Sequence, residues 1–214
     1  QLSVKKIGVT KLQGKILSDT SSFELSDVVA SLANGEANVT VRLLQSPENQ
    51  PSAEISVTAR QLNLAELPIN NGAALADSGT LNLDYDNHGN GRSIADIMAT
   101  SNGHININIK DARLHNTGAE LATGDLLVTL LNGLNPLSND NRTHIECATL
   151  KFPIKNGMAE NDLGIGIRTA QLNILGGGTI DLRSEKIALQ ARPKPRQGIG
   201  LNLASLADFV SIGG

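Results

Sequence analysis

Aromatic side chains and clustered charge are both scarce in this chain. Only 2% of its 214 residues are aromatic, and tryptophan is absent. Sites that stack sugars or single-stranded nucleic acid are built from aromatic rings, so the composition argues against both kinds of ligand. The formal net charge is −3, and the lysines and arginines are scattered along the sequence. A basic binding surface is therefore missing, and we expect no nucleic-acid partner.

Cysteine is limited to Cys147, which excludes a disulfide within the chain. The residue lies in an apparent strand, where a free cysteine usually behaves as a small buried hydrophobe. We therefore expect Cys147 to be buried and not reactive. His144 lies at an odd spacing before it, which on a regular strand places the two side chains on opposite faces. The pair is accordingly not expected to act as a catalytic dyad.

Motifs for catalysis, metal binding or cofactor binding are also lacking. No nucleophile elbow, phosphate-binding loop or dinucleotide fingerprint occurs. The close spacing of zinc ligands is absent from the histidines, which are His88, His104, His115 and His144. Residues 84–95 begin like a calcium loop, but Ala95 stands where a bidentate glutamate belongs, so a polar turn is the preferred interpretation. We expect a non-enzymatic protein with no catalytic residue, no metal and no cofactor.

Alternation of apolar and polar residues is the dominant pattern, and residues 104–109, His-Ile-Asn-Ile-Asn-Ile, show it most clearly. Such alternation produces a strand with one apolar and one polar face. Asn-Gly dipeptides, which favour tight hairpin turns, begin at positions 34, 71, 90, 102, 132 and 156. The expected strands are 4–9, 36–45, 53–64, 80–85, 103–114, 145–155, 164–175, 177–183 and 186–192. The glycines at 176–178 fall between two of them and predict a bulge or bend.

Two short helices are expected beside the strands. Ser93 followed by Asp96 is a capping-box-like start. The second helix covers about 118–131, where leucines on one face predict packing on a sheet. A membrane-surface helix is the alternative, which the lack of Lys and Arg disfavours. Strands without regular helix alternation indicate a mainly β protein, with a curved antiparallel sheet shaped like a groove or half-barrel and a few short helices packed on it.

Three segments are expected along the chain. A break at 67–78 separates a preceding β-repeat region, 1–78, from a β region with two helices, 79–196. Pro193 and Pro195 cannot donate to a ladder and are expected to end the sheet, before a Gly-rich tail at 197–214. The chain begins at Gln1 without an apolar leader or spanning segment, which suggests a fragment whose membrane anchor lies elsewhere.

Several short motifs follow one another in a specific order. The Gly-Arg-Ser of 91–93 opens a short helix, the Asn-Gly of 102–103 comes next, and the strand 105–111 follows it. The later pieces, after a helix at about 126–131, are 147–157, 176–187 and 192–195. With these motifs in this order, the chain from about 81 to 195 resembles the C-terminal region of the AsmA-like family, bacterial envelope proteins related to TamB. The earlier half, especially 54–67, is similar to the family's preceding repeats.

The resemblance implies the periplasmic part of an inner-membrane-anchored protein of a Gram-negative bacterium, in which a long curved sheet forms a groove with an apolar interior. It also implies transfer of phospholipid, or another acyl-chain lipid, between the inner and outer membranes, and a role in outer-membrane biogenesis and homeostasis. An outer-membrane protein is a further expected partner. The family has no catalytic residues to carry over to this chain.

Ten apolar side chains on the alternating strands are the candidates for facing lipid. They are Ile105, Ile107, Ile109, Leu150, Phe152, Ile154, Ile180, Leu182, Ile187 and Leu189. Alternation alone does not tell whether such a face is an open groove or a closed core. A second hypothesis therefore stays open, in which the chain is a structural or assembly scaffold for outer-membrane proteins, with a closed core and no lipid.

Overall fold

The computed structural model describes residues 9–45, 50–67, 76–115, 142–196 and 210–213, and these form one sheet of eleven strands. Each strand is hydrogen-bonded antiparallel to the next strand in the sequence, and the sheet is open and curled. The strands are β1 (Val9–Ser18), β2 (Ser22–Leu32), β3 (Gly35–Leu44), β4 (Ser52–Asn63), β5 (Ala76–Asn90), β6 (Asn102–His115), β7 (Arg142–Lys155), β8 (Met158–Thr169), β9 (Leu172–Asp181), β10 (Lys186–Pro195) and β11 (Val210–Gly213). The prediction of a curved, mainly antiparallel β fold is confirmed.

Helical structure is limited, within the described ranges, to α1 (Ile94–Ala99) and one 3₁₀ turn (Leu64–Glu66). The predicted start of α1 is confirmed, because the Ser93 hydroxyl accepts a hydrogen bond from the Asp96 amide at 3.1 Å. The helix expected at about 118–131 lies outside the described residues. None of the helices that the structure describes is long and apolar enough to cross a membrane.

The hairpin turns follow the Asn-Gly pattern only in part. Asn156 and Gly157 join β7 to β8 with φ values of 49° and 75°, as a tight two-residue turn requires, so this turn is confirmed. The β2–β3 turn is centred one residue earlier than expected, on Ala33 and Asn34. Asn102 does not form a turn, because it begins β6. The Asn-Gly pairs at 71 and 132 lie outside the described residues.

Bulges account for the strands that the alternation pattern missed. Of the strand expected at 4–9, only Val9 lies among the described residues, where it begins β1, and β2 was not expected at all. In β2 the pairing with β3 passes from Leu25 directly to Val28, and Asp27 has a φ of 51°. Such a bulge brings Leu25 and Val28 to the same face and breaks period two in the sequence.

The polar segment 84–89 and the expected strand 164–175 both differ from prediction. Residues 84–89 lie within β5 and do not form a turn. The strand expected at 164–175 is instead divided by a bend at 170–171, where the Thr169 hydroxyl accepts a hydrogen bond from the Leu172 amide at 3.0 Å. The proposed segment boundary at 78 falls inside β5, which pairs directly with β4, so the division of the chain stays a prediction.

Two predictions about β9 and β10 are wrong. The glycines at 176–178 lie inside β9, not between strands. The prolines do not end the sheet, since β10 continues to Pro195 and pairs with β9 along its whole length. The Arg196 amide donates to the Gln171 carbonyl at 3.0 Å, so the alternate positions Pro193 and Pro195 point their nitrogens away from β9 and cost no bond with that strand.

Cys147 is exposed, which corrects the expectation that it is buried. The pairing of β7 with β8 passes from Ile145–Thr169 to Cys147–Arg168, so Glu146 is an extra residue in β7. The bulge returns the apolar residues on either side of it to one face. His144 and Cys147 are consequently both exposed, and the prediction that they lie on opposite faces is wrong.

Glu146 ties the bulge to two other parts of the sheet. Its carboxylate accepts from Arg196 Nη1 at 2.7 Å and pairs with Arg168 Nε at 3.0 Å. The same Arg196 nitrogen donates to the Thr169 carbonyl at 2.8 Å. The hydrogen bond from Arg196 and the positive charges nearby lower the pKa of the Glu146 carboxyl.

Replacement of Gly177 by alanine is expected to destabilise the sheet. A Cβ at Gly177 stands 2.0 Å from the Asn161 carbonyl oxygen, whereas a Cβ at Gly166 meets nothing closer than Leu175 Cδ2 at 4.0 Å. Because the obstacle is backbone, we expect Gly177→Ala to lower the free energy of unfolding by about 1–3 kcal/mol. Gly166→Ala is the matched control and leaves the urea midpoint near that of the wild type. Equal midpoints for the two variants contradict the observed approach of β8 to β9.

The stabilisation from Glu146 is expected to depend on pH. Because its pKa is lower in the folded chain, the carboxylate stabilises the fold above its unfolded pKa of about 4.3, and this stabilisation disappears as the pH falls through the folded value. Glu146→Gln should therefore unfold more easily than wild type at neutral pH, with the difference shrinking in acid. In an Arg196→Gln background this pH dependence should be weaker. A difference between wild type and Glu146→Gln that stays constant with pH in urea titrations speaks against the ion pair.

Candidate functional site

One uninterrupted row of apolar or glycine positions crosses the whole sheet. The inter-strand register aligns one residue from each strand, and none of the eleven is polar. In strand order they are Leu12, Ala30, Ala37, Ala59, Leu83, Ile107, Leu150, Ile165, Gly176, Ala191 and Val210. Neighbouring strands lie about 4.8 Å apart, so the row extends for about 48 Å across the strands. We call the side of the sheet that carries this row the apolar face.

Two shorter rows flank the first one on the apolar face. One crosses β2 to β7 through Val28, Val39, Val57, Tyr85, Ile105 and Phe152. The other contains Ile16, Leu25, Val41 and Ile55, passes through Asn87 and Gly103, and continues with Ile154, Ala159, Ile180 and Ile187. Along these rows an apolar residue on one strand is usually paired with an apolar residue on the next strand. The apolar face is therefore continuous.

The structure brings the ten predicted residues together on the apolar face. Ile105 pairs with Phe152, and Ile180 pairs with Ile187. Nine of the ten lie on strands, whereas Leu182 lies in the β9–β10 turn and packs against the same cluster as Phe152. Phe152 and Ile154 are buried, at 0% and 5% exposure, and the other eight are half-buried.

Sequence reasoning missed the part of the apolar face that precedes β6. Its residues in the first row are Leu12, Ala30, Ala37, Ala59 and Leu83. The signal was present in β3 and β4, where Val39, Val41, Ile55 and Val57 alternate with polar residues. Recognising one face from these runs requires the register between strands, which alternation within a strand does not give.

Two buried clusters pack along the apolar face. The first lies toward the end of the sheet where β5 starts and includes Leu64, Ala112, Leu114 and Leu172. The second contains Phe152, Ile154 and Ala159, with Tyr85 and Leu189 packed against it. In the part of the chain that the structure describes, no second sheet covers this face, so curling and the two short helical segments supply the burial.

Helix α1 covers one end of the apolar face. Gly89 and Gly157 let the helix approach the sheet, because a Cβ at Gly89 stands 2.3 Å from the Ile97 carbonyl oxygen. Asn87 Nδ2 donates to the Ser101 hydroxyl at 3.1 Å, and that hydroxyl donates to the Ile97 carbonyl at 2.9 Å. Both side chains are buried. This polar pair holds the end of α1 and interrupts the third apolar row.

The opposite side of the sheet, which we call the outer face, is mainly polar. One of its rows crosses β3 to β7 through Asn38, Thr58, Asp84, Asn106 and Lys151. Ion pairs link neighbouring strands on this face, since Arg42 contacts Glu24 at 3.3 Å and Glu54 at 3.6 Å. The sheet is thus amphipathic over most of its width. Within the described residues no group of His, Cys, Asp or Glu is arranged to hold a metal ion.

These features define an open, curled antiparallel sheet with one continuous apolar face and a polar back. The AsmA family model matches residues 1–163, and the chain belongs to this family of bacterial envelope proteins. The match includes the earlier half of the chain, where the resemblance in sequence was looser, and stops before the glycines of β9.

A relative of the chain is the AsmA family protein YhjG of Escherichia coli (strain K12). The two are 22% identical over 192 residues, which cover 88% of this chain and 27% of YhjG. The chain therefore spans about a quarter of the length of this curated relative. No solved structure matches the chain.

Proposed function

We propose that this chain is a non-enzymatic module that binds phospholipid acyl chains on its apolar face and passes them between the inner and outer membranes. In this proposal it is the periplasmic part of an inner-membrane-anchored protein and supports outer-membrane homeostasis. The observation that carries the proposal is the apolar row that continues through all eleven strands. Membership of the AsmA family supports a role in the bacterial envelope.

The dimensions and chemistry of the row suit acyl chains. Half the hydrocarbon thickness of a bilayer is about 15 Å, so one acyl chain lying along the row spans about three strands. Each methylene removed from water contributes about 0.8 kcal/mol, which holds a two-chain lipid without a specific polar contact. Aliphatic side chains such as Ile107 and Leu83 make contacts without preferred direction, so a bound chain meets similar surroundings at each step.

Exposure on the apolar face rises toward β1. Phe152 in β7 is fully buried, whereas Leu12 and Ile16 in β1 are each 68% exposed. An apolar surface of this kind left in water usually marks an interaction site. In our proposal lipid therefore occupies the β1–β4 part of the face most readily and displaces packed side chains farther along.

A scaffold for outer-membrane proteins is the second candidate function, and the two buried clusters favour it. Phe152, Ile154 and Leu172 are as buried as residues of an ordinary protein core. If the apolar face closes on itself in this way along its whole length, it needs no lipid for stability. The sheet then serves as a support whose edges or outer face contact a partner protein.

Photocrosslinking from matched positions tests the lipid proposal directly. A photoreactive side chain at Val39 or Ile107 faces the apolar side, whereas one at the neighbouring Asn38 or Asn108 faces the outer side. After incubation with phospholipid vesicles, we expect phospholipid adducts from the two apolar positions only. Mass spectrometry of the irradiated chain gives the readout. Absence of adducts from all four positions, together with a lipid-free native mass spectrum, refutes lipid binding.

Substitution of Ile107 by aspartate separates the two candidate functions. On an open face the charge stays hydrated, so Ile107→Asp should fold and bind less lipid. In a closed core an unpaired carboxylate costs several kcal/mol, and the chain should unfold. Asn108→Asp is the control on the outer face of the same strand. Circular dichroism measures folding and vesicle flotation measures lipid binding, and loss of the fold in Ile107→Asp alone favours the scaffold.

A further inference from the structure

The outer face contains a groove that the lipid proposal does not use. It lies across β7 to β10 and has a volume of about 1160 Å³. Its floor is formed by positions with little or no side chain, namely Gly166, the glycines at 176–178 and Ala188. The missing side chains leave the backbone of β8, β9 and β10 as the surface of the groove. The glycine run, for which the sequence predicts a bulge or bend, therefore shapes a concave site.

A wide bulge of β8 forms one wall of the groove. The pairing of β8 with β9 passes from Asn161–Gly178 to Ile165–Gly176, so residues 162–164 lie outside this ladder. The pairing with β7 also lapses there, between Ala159 and Ile165. The bulge crosses Gly177 so closely that a Cβ on this glycine stands 2.3 Å from the Asp162 carbonyl carbon. The Leu163 amide donates to Asn161 Oδ1 at 3.0 Å, so the bulge is held by a side chain of its own strand and not by strand pairing.

Leu163 and Leu175 are large, exposed apolar side chains that line this groove on a mainly polar face. Leu163 in the bulge is 74% exposed, and Leu175 in β9 is 57% exposed. Side chains this exposed add little to the stability of the isolated sheet. Their position beside an open floor provides a place where an apolar side chain from another molecule is removed from water on both sides.

The charge of the groove is opposite to that of the whole chain. Arg168, Arg192 and Lys194 line it, and Asp162 is the one acidic residue among its lining residues. The lining residues therefore have a formal charge of +2, three positive minus one negative, and counting Glu146 beside Arg168 leaves +1, within a chain of net charge −3. Arg168 also pairs with Glu146 at 3.0 Å, which fixes its position at the rim. The complementary ligand is apolar and negatively charged.

We propose that the groove across β7–β10 docks an acidic, leucine-bearing polypeptide segment of a partner protein. Leucine side chains of that segment pack between Leu163 and Leu175, and its carboxylates meet the cationic rim. Carboxylates on a polypeptide complement the cationic side chains of the rim, whereas an acyl chain carries no charge that could do so. This proposal goes beyond lipid binding and rests on the opposite face of the sheet, so either proposal can fail alone.

The test uses a short fluorescein-labelled peptide that alternates leucine and glutamate, added to the full chain. Fluorescence anisotropy should show saturable binding that weakens with salt, and weaker binding of matched leucine–lysine and serine–glutamate peptides. Leu163→Ser and Leu175→Ser should each weaken binding by about tenfold, as expected for loss of one buried leucine contact. Leu17→Ser is the control, since Leu17 is 61% exposed in β1, on the outer face and far from the groove.

The chain's single thiol locates the binding event. Cys147 is exposed and lines the groove, so bound peptide should slow its reaction with a thiol reagent. Equal affinity of wild type, Leu163→Ser and Leu175→Ser overturns the proposal, as does unchanged reactivity of Cys147 with peptide bound. Phosphatidylglycerol vesicles are the competing probe. If they protect Cys147 in a manner that requires Leu163 and Leu175 while the peptides do not, the groove is a lipid site and the peptide proposal is wrong.

Discussion

The register between neighbouring strands is the constraint on which the apolar face depends. A slip of one residue in an antiparallel sheet sends every side chain of a strand to the other face. Here the residues of the first apolar row stay paired across all ten strand pairs, although several of these pairs contain bulges. In β6 and β7 the irregular residues face each other, because Asp111 and Glu146 lie between the pairs Lys110–Cys147 and Ala112–Ile145. Each strand therefore has its irregular residue opposite that of the other strand. The apolar residues before and after these two positions stay paired.

A single sheet has to bury its apolar face in an unusual way. Most domains place a second layer of secondary structure on such a face. Here the described residues supply only curling, α1 and one 3₁₀ turn, and most of the apolar side chains remain half-buried. Asn87 and Ser101 show how one end is fixed, since a buried polar pair joins α1 to the sheet. The partial burial is the physical basis for both candidate functions, because it leaves the face neither a finished core nor an open surface.

The parts of the fold that could be predicted are those in which the information is local. Alternation in β6 and β7 and the cap of α1 by Ser93 depend on a few neighbouring residues, and the structure confirms them. Bulges are not local in this sense. The exposure of Cys147 depends on the extra residue Glu146, whose presence is defined only by the partner strand β8. Likewise the first row of the apolar face needs the register of β1 to β5, which no single segment contains.

The glycines of β9 show that the two faces of the sheet are not independent. Gly176 belongs to the apolar row, whereas Gly177 lies beneath the β8 bulge that walls the outer groove. A Cβ at Gly176 stands 2.4 Å from the Gln190 carbonyl oxygen and one at Gly177 stands 2.0 Å from the Asn161 carbonyl oxygen. The backbone of β10 therefore restricts position 176 to glycine, and the backbone of β8 restricts position 177. The close approach that opens a groove on the outer face also leaves a shallow gap in the apolar row, so a change in the strand that alters one binding surface alters the other.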